Sequence, residues 1–361
     1  MIRSASLSVL AGLSAFALLP RSAAADDVLK QTNKADYVVP TAPAGDPKDA
    51  PPQGWMPRIA AGLTLSFGDN RSVVGQADGG TLSFGLKFDA GLDYRRGGHE
   101  WRNTLALAEG VTRTPVMPQF LKSADLLSIE SIYLYHVTPW FGPFVRASML
   151  TALFRGEDVR PGATTYLIKH VDGTVETKLE GDRTSFEDPV VSTLALSDPF
   201  QPMTLKQSIG PFLRPVEGEK ANVELRAGLG AQETIAKKQL AIADDHATPE
   251  IEVNELANVN QLGVQAAADV WGALPDKKVT YRIGIDAMIP LAHTALAAGD
   301  NRSSLALMNL EMGGQLSFKL VEWASLDYQI KAIREPQVVD AFQVRNALLL
   351  TLGLGYGFEK K

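Results

Sequence analysis

The chain contains no cysteine among its 361 residues. This absence excludes disulfide bonds, thiolate metal sites, a cysteine nucleophile and a lipid anchor on an N-terminal cysteine. An excess of positive charge is also absent: the chain has 35 lysine and arginine residues and 41 aspartate and glutamate residues, so its net charge is −6. The composition therefore excludes a basic footprint for nucleic acid, and we expect no nucleic-acid partner.

Long apolar runs are equally scarce, and the single candidate lies near the N-terminus. Arg3 precedes the apolar stretch 7–19, which is shorter than the roughly 20 residues that a transmembrane helix needs. Ala23-Ala24-Ala25 then supplies a cleavage site, so we predict a signal peptide over 1–25, with an uncleaved anchor as the alternative. Residues 26–57 are polar and proline-rich, which predicts a disordered periplasmic linker.

From about Arg58 the hydrophobicity alternates with a period of two. In 81–94, apolar side chains from Leu82 to Tyr94 fall on one face, and polar side chains from Thr81 to Asp93 fall on the other. The same pattern recurs in 223–231, 279–289 and the last segment, 344–358. Strands of a soluble β-sandwich, the alternative, also alternate but usually run five or six residues, whereas crossing a bilayer takes about nine to eleven. The sequence therefore predicts an all-β fold, a transmembrane antiparallel β-barrel over 58–358.

About twelve strands are predicted, and the connections between them alternate in length. The strands lie at about 58–67, 80–95, 99–112, 124–137, 141–155, 203–214, 221–235, 259–271, 278–290, 305–318, 322–334 and 343–358. The short connections lie at 96–98, 138–140, 215–220, 272–277 and 319–321, and the longer ones near 68–79, 113–123, 156–202, 236–258, 291–304 and 335–342. Short turns at one end and long loops at the other are typical of outer-membrane barrels, with the short turns periplasmic. Within 156–202, Asp172-Gly173 between two β-prone runs predicts a β-hairpin in a long outer loop.

Aromatic residues and the C-terminus agree with this architecture. Rings near the short turns predict an interfacial girdle, although Trp271 has the parity of the polar face; they include Trp55, Trp101, Trp140, Trp271 and Trp323. The closing run 351–358 resembles the signal read by the barrel-assembly machinery, with Gly353 inward and Tyr356 and Phe358 toward lipid. The predicted partners are thus outer-membrane lipid and that machinery; any small-molecule ligand stays unidentified.

A family resemblance rests on Trp101-Arg102-Asn103, Gly110, Lys122-Ser123-Ala124-Asp125 and the closing Leu-Gly-Tyr-Gly-Phe strand. These positions resemble a family of Gram-negative outer-membrane barrels catalogued as domain of unknown function 3078. The resemblance spans 58–358. It implies an outer-membrane location and a barrel fold, and it implies no activity.

Charged residues on the polar face of the strands form the candidate site inside the barrel. They are Lys87, Asp89, Asp93, Arg102, Glu224, Arg226, Arg282, Asp286, Glu311, Asp327, Lys331 and Arg345. A twelve-stranded lumen is narrower than that of the porins with sixteen or more strands, so inward charges of opposite sign can pair within it. Two interpretations follow: a narrow selective conduit, or a closed structural barrel with a satisfied polar core.

Signals for catalysis are few. Asp244-Asp245-His246 lies in a predicted outer loop, where carboxylates and an imidazole can activate a water, although a solvated charged loop is the simpler interpretation. The five histidines show no metal-ligand spacing, and no nucleotide-binding glycine pattern is present. We therefore predict no metal, cofactor or catalytic residues. A surface hydrolase with its site in the long outer loops is the alternative function.

Overall fold

The computed structural model describes residues 53–70, 79–114, 117, 119–181, 191–218, 220–244, 248–274, 278–296, 300–321 and 324–357. Every regular element within these ranges is a β-strand, so the all-β prediction is confirmed. In the same ranges, no helix is long and apolar enough to cross a membrane. The predicted signal peptide at 1–25 and most of the predicted linker at 26–57 lie outside the described residues.

The strands follow one another in chain order from Gly54 to Gly357. They are β1 (Gly54–Asn70), β2 (Gly79–Arg96), β3 (His99–Arg113), β4 (Leu121–Tyr135), β5 (Phe141–Thr151), β6 (Gly156–Pro161), β7 (Thr164–Lys169), β8 (Val175–Glu180), β9 (Val191–Ser197), β10 (Met203–Val216), β11 (Asn222–Ile235), β12 (Leu240–Ile242), β13 (Ile251–Glu255), β14 (Val259–Ala273), β15 (Val279–His293), β16 (Asn309–Val321), β17 (Ala324–Glu335) and β18 (Val339–Gly357).

Twelve of the described strands form one antiparallel sheet that closes on itself. Their order around the ring is β1-β2-β3-β4-β5-β10-β11-β14-β15-β16-β17-β18, and β18 returns to β1. At the closing seam, Ile59 lies opposite Tyr356 and Gly62 lies opposite Gly353. Closure pairs the backbone groups that an open sheet would leave exposed at its two edges.

Several strand boundaries differ from the predicted ones, and three of the differences have a clear structural reason. β1 begins at Gly54, inside the segment assigned to the linker, because its backbone pairs with β2 from that residue onward. β16 begins only at Asn309, since 304–307 form a turn in which the Leu307 amide donates to the Ser303 carbonyl. The connection predicted at 335–342 is instead a short turn at 336–338. β18 pairs with β17 as far as Val339, because strand pairing requires only backbone hydrogen bonds and does not depend on an alternation of apolar side chains.

The two faces of the ring differ in chemistry. Each of the twelve strands exposes at least one large apolar side chain on the outside; examples are Ile59, Phe84, Val111, Ile129, Val145, Ile209, Leu229, Leu262, Ile283, Met312, Ile330 and Val344. Arg102, Arg146, Glu224 and Asp269, by contrast, point inward and are largely buried. This is the inverse of a soluble protein, whose apolar side chains face the inside.

Aromatic rings gather at both ends of the apolar outer face. At the end with the short turns, Trp55 packs against Tyr94 and Trp101, with ring centroids 4.9 and 5.9 Å apart. At the end with the long connections, Phe84 packs against Phe120 at 5.8 Å. The sequence-based expectation of a girdle at one end only was therefore incomplete.

The long connections build a second, smaller structure, here called the cap (156–181, 191–197, 240–244 and 248–255). The predicted hairpin is present: β7 pairs with β8, and Gly173 occupies the turn with φ of 86°. The hairpin does not stand alone, because β13 of the next long connection pairs in parallel with β7, and β12 pairs with β13. β6 and β9 form a separate two-stranded sheet. The sequence predicts only a long connection at 236–258, so β12 and β13 correct that expectation.

The cap has an apolar core of its own. Its buried members are Tyr166, Ile168, Leu194, Leu196, Ile251 and Val253, with Leu240 and Ile242 packed against them. A clamp on β4 fixes the start of this region: the Asp125 carboxylate accepts hydrogen bonds from the Leu153 and Phe154 amides at 2.6 and 3.0 Å. Lys122 donates to the carbonyls of Phe154 and Arg155. The cap is thus a packed unit tied to the wall of the ring.

Candidate functional site

The candidate site is the polar interior of the ring, where antiparallel registers place charged side chains on one face. Asp93 lies opposite Arg102 on neighbouring strands, and Glu311 lies opposite Asp286. Because side chains alternate between faces, a residue directly opposite an inward residue also points inward. The interior charges form three groups along the axis: near the short turns, midway, and near the long connections.

The group near the short turns joins β3 to β11. Arg102 Nη2 donates to both carboxylate oxygens of Glu224 at 2.8 and 3.0 Å. Arg214 donates to Glu224 at 2.7 Å and to Glu100 at 3.2 Å. β3 and β11 lie four places apart in the ring of twelve. These contacts therefore cross the interior and do not merely link neighbouring strands.

An apolar cluster lies beside this group, also inside the ring. Ile132, Leu134, Phe144 and Phe212 are buried against one another. The Arg214 guanidinium lies over the Phe212 ring, 5.9 Å from its centroid, so the cluster and the ion pairs are in direct contact. The alternation of apolar and polar residues predicts a purely polar interior, and this cluster corrects that prediction.

The middle group joins β5 to β15. Arg146 donates through Nε to Glu130 at 2.8 Å and through Nη1 to Asp286 at 3.2 Å. Gln265 donates to both oxygens of Asp286 at 2.8 and 2.7 Å. β5 and β15 are again four places apart in the ring. One arginine thus connects two non-adjacent walls, a third of the way around the ring from each other.

A further part of the group near the short turns lies on β11, β14 and β15, where Asp269 lies directly opposite Glu224. Asp269 accepts from Arg226 at 2.5 Å and from Arg282 at 3.0 Å. The Arg282 guanidinium also lies 5.5 Å from the centroid of the Trp271 ring. The inward parity of Trp271, anomalous for a girdle residue, therefore has a physical reason: its ring stacks on an interior cation.

The group near the long connections joins β10 to β16 and β17. Lys206 and Lys331 each lie 2.9 Å from an oxygen of Glu311. Gln232 donates to Glu335 at 3.2 Å, and Asn309 donates to Gln232 at 3.2 Å. A polar cavity of about 10 Å³ remains between these side chains, which is room for about one water molecule.

The remaining predicted residues lie near β1, β2, β17 and β18. Arg58 pairs with Asp93 at 3.2 Å, and Lys87 lies 3.9 Å from Asp89. Asp327 accepts from Ser325 at 2.9 Å. The backbones of Arg345, Gly353 and Tyr356 belong to β18, but the side chains of Arg345 and Tyr356 lie outside the described part of the structure, as does the whole of Phe358.

Several residues of the interior network were missing from the sequence-based set, chiefly Glu100, Glu130, Arg146, Lys206, Arg214 and Asp269. A signal for most of them was present. Glu130, Arg146 and Lys206 fall on predicted strands at positions with inward parity, so the same alternation that selected Arg102 would have selected them.

The possible catalytic tripeptide falls partly outside the described residues, since these include Asp244 but neither Asp245 nor His246. Within the described ranges, no group of three His, Asp or Glu side chains is placed to hold a metal ion.

No protein-family model matches the chain, so the resemblance to domain of unknown function 3078 gains no support, and no curated protein matches it either. Similar solved structures include an outer-membrane channel from Pseudomonas putida F1, at 10% identity over 87% of this chain and 100% of that one, with a TM-score of 0.34. The translocator domain of the autotransporter NalP from Neisseria meningitidis aligns at 10% identity over 86% and 90%, with a TM-score of 0.35. The CymD monoaromatic hydrocarbon channel aligns at 10% identity over 85% and 89%, with a TM-score of 0.31. At such scores these similarities carry no argument about function, which has to come from the chain's own residues.

Proposed function

We propose that the chain is an outer-membrane β-barrel, exported by a signal peptide at 1–25. The support is the outer face of the ring, where all twelve strands expose apolar side chains between two sets of aromatic rings. A protein with so large an apolar outer surface would aggregate in water, whereas this surface matches the hydrocarbon layer of a bilayer. The ring strands run from 11 to 19 residues, long enough to cross that layer when tilted.

The proposed orientation places the short turns and both ends of the ring in the periplasm. Gly54 and Gly357 mark the two ends, and both lie at the end with the short turns. The cap then faces the outside of the cell. In this orientation the C-terminal end of β18 lies at the periplasmic edge, where the barrel-assembly machinery would read the closing run 351–358.

We infer that this barrel is closed to solutes in the conformation described. The observation that carries the inference is the set of contacts across the interior, above all Arg102 and Arg214 on Glu224, Arg146 on Asp286, and Lys206 on Glu311. Each pair occupies the space that an open pore would leave to water. The function supported best is therefore that of a closed barrel that carries a folded cap on the cell surface.

A narrow conduit is the second candidate, and the water-sized cavity lined by Lys206, Glu311 and Asn309 favours it. A conduit in its closed state would keep a small polar cavity of this kind between paired charges. A surface hydrolase is not proposed, because no described set of side chains supports it.

Conductance in planar bilayers tests closure. Wild-type protein is expected to show no discrete current steps. The triple variant Arg102→Ala, Arg146→Ala and Lys206→Ala removes one cation from each group and is expected to give stable steps with cation selectivity, since Glu224, Asp286 and Glu311 remain.

The matched control truncates outward neighbours on the same strands: Asn103→Ala, Val145→Ala and Gln207→Ala. It is expected to stay silent. Heat-modifiable migration in gels shows that each variant is folded before its current is recorded. Porin-like steps from the wild type would contradict closure.

A further inference from the structure

His170 joins the two long connections of the cap. It lies in the turn after β7, with Nδ1 2.8 Å from Glu255 Oε2 at the end of β13 and Nε2 3.3 Å from Glu176 Oε2 on β8. The same Glu255 oxygen accepts from the Val171 amide at 3.3 Å. Since β7 and β8 belong to one connection and β13 to the next, this imidazole bridges segments 85 residues apart.

The two ring nitrogens of His170 both face carboxylate oxygens. A carboxylate only accepts hydrogen bonds, so both nitrogens must donate for both contacts to be satisfied. A neutral imidazole has one donor and one acceptor, and it would set a lone pair against one of the two glutamates. Only the protonated imidazolium satisfies both contacts, and this follows from the geometry alone.

We propose that His170 is a pH-sensitive clasp that tightens the hairpin against β13 at acidic pH and loosens it at alkaline pH. The charged groups that face it are Glu255 from β13, Glu176 from β8 and Asp172 from the turn, all carboxylates. No described cation opposes its protonation among these contacts. The protonation state of His170 changes how tightly the cap is packed and does not change the ion pairs inside the ring.

The hydrogen bonds to Glu255 and then Glu176 raise the pKa of His170 above its ordinary value. A group whose pKa is raised on folding contributes stability that is fully present below its unfolded-state pKa. That contribution is lost as the pH rises through the folded-state pKa. The cap is therefore tightest in mildly acidic medium and loosens toward alkaline pH.

Hydrogen exchange of the full-length protein in lipid nanodiscs tests the clasp. Amide protection across 164–169 and 251–254, where β7 and β13 pair, is compared at pH 5.5 and 8.5 after correction for the intrinsic exchange rate. Wild-type protection is expected to fall by about threefold at the higher pH, the size expected for exposed charge-assisted contacts. The variant His170→Gln is expected to show the same protection at both pH values.

The matched control is His293→Gln at the end of β15, outside the cap, where the His293 ring hydrogen-bonds with the Thr294 carbonyl and the Gln337 amide. Its protection should fall with pH as in the wild type. A second variant, Glu255→Gln, keeps a side chain of the same size and is expected to lose the pH dependence while the cap stays folded. A pH dependence in His170→Gln equal to that of the wild type, or none in the wild type, would overturn the clasp.

Discussion

Replacing Glu224 by alanine is expected to lower the free energy of unfolding of the barrel by about 3–5 kcal/mol. Its carboxylate accepts from Arg102 and Arg214, and Arg226 lies 3.7 Å away. The residue is only 1% exposed, and its removal leaves Arg102, Arg214 and Arg226 to share the two remaining carboxylates, Glu100 and Asp269. The cost comes from this excess of buried positive charge and not from lost packing.

Urea unfolding in phospholipid vesicles, followed by tryptophan fluorescence, measures this loss. Glu217→Ala is the control, because Glu217 lies 3.9 Å from Arg214 but its side chain is 56% exposed. A change within about 0.5 kcal/mol is expected for this surface position. If the two variants unfolded at the same urea concentration, the interior network would not be a stabilising element.

Replacing Val253 by aspartate is expected to unfold the cap while the barrel stays inserted. Val253 is 0% exposed in the cap core, beside Tyr166 and Ile168. A carboxylate there has no described cation in the core to pair with, and the local cost of about 4 kcal/mol belongs to the largest that a single substitution produces. The barrel strands keep all their pairings, so the effect is confined to the outer structure.

Protease added to intact cells measures the state of the cap. Cleavage within 156–181 or 248–255 is expected to become rapid in Val253→Asp, whereas heat-modifiable migration of the barrel fragment persists. Val175→Asp is the control, since Val175 is 59% exposed on β8 and its substitution should leave the cap resistant. Loss of the barrel from the membrane in Val253→Asp would show that cap and barrel fold as one unit.

The ring strands were predictable because each carries its own periodic signal. The alternation from Leu82 to Tyr94 needs no knowledge of any partner strand, and β2 (Gly79–Arg96) lies within one residue of the predicted bounds. The interior partners were not predictable in the same way. Arg146 and Asp286 are 140 residues apart, and only closure of the ring brings them together.

The cap shows why short elements escape sequence reasoning. β12 has three residues and β13 has five, too few to display a period, and both acquire their strand geometry by pairing with other segments. The hairpin of β7 and β8 was predictable because Asp172-Gly173 specifies its turn locally. The interior cluster of Phe144 and Phe212 was not predicted for a different reason. β5 and β10 carry apolar residues on both faces near the short turns, so the alternation there does not distinguish the inner face from the outer one.

The proposed barrel is a membrane-inserted ring whose interior is filled by its own side chains, and the absence of cysteine allows a direct test of both properties. Ala267 lies opposite Arg226 and Asp286 and points inward, whereas its neighbour Ala266 lies opposite Ala227 and Ala287 and points outward. Single variants Ala267→Cys and Ala266→Cys are treated in intact outer membranes with a bulky hydrophilic maleimide and, separately, with a small lipid-soluble one. We predict that the cysteine at 267 stays unmodified by the hydrophilic reagent, while the cysteine at 266 reacts only with the lipid-soluble reagent. Rapid labelling of the cysteine at 267 by the hydrophilic reagent would show an open lumen and contradict a filled interior. Rapid labelling of the cysteine at 266 by the same reagent would show that the outer face is exposed to water and contradict membrane insertion.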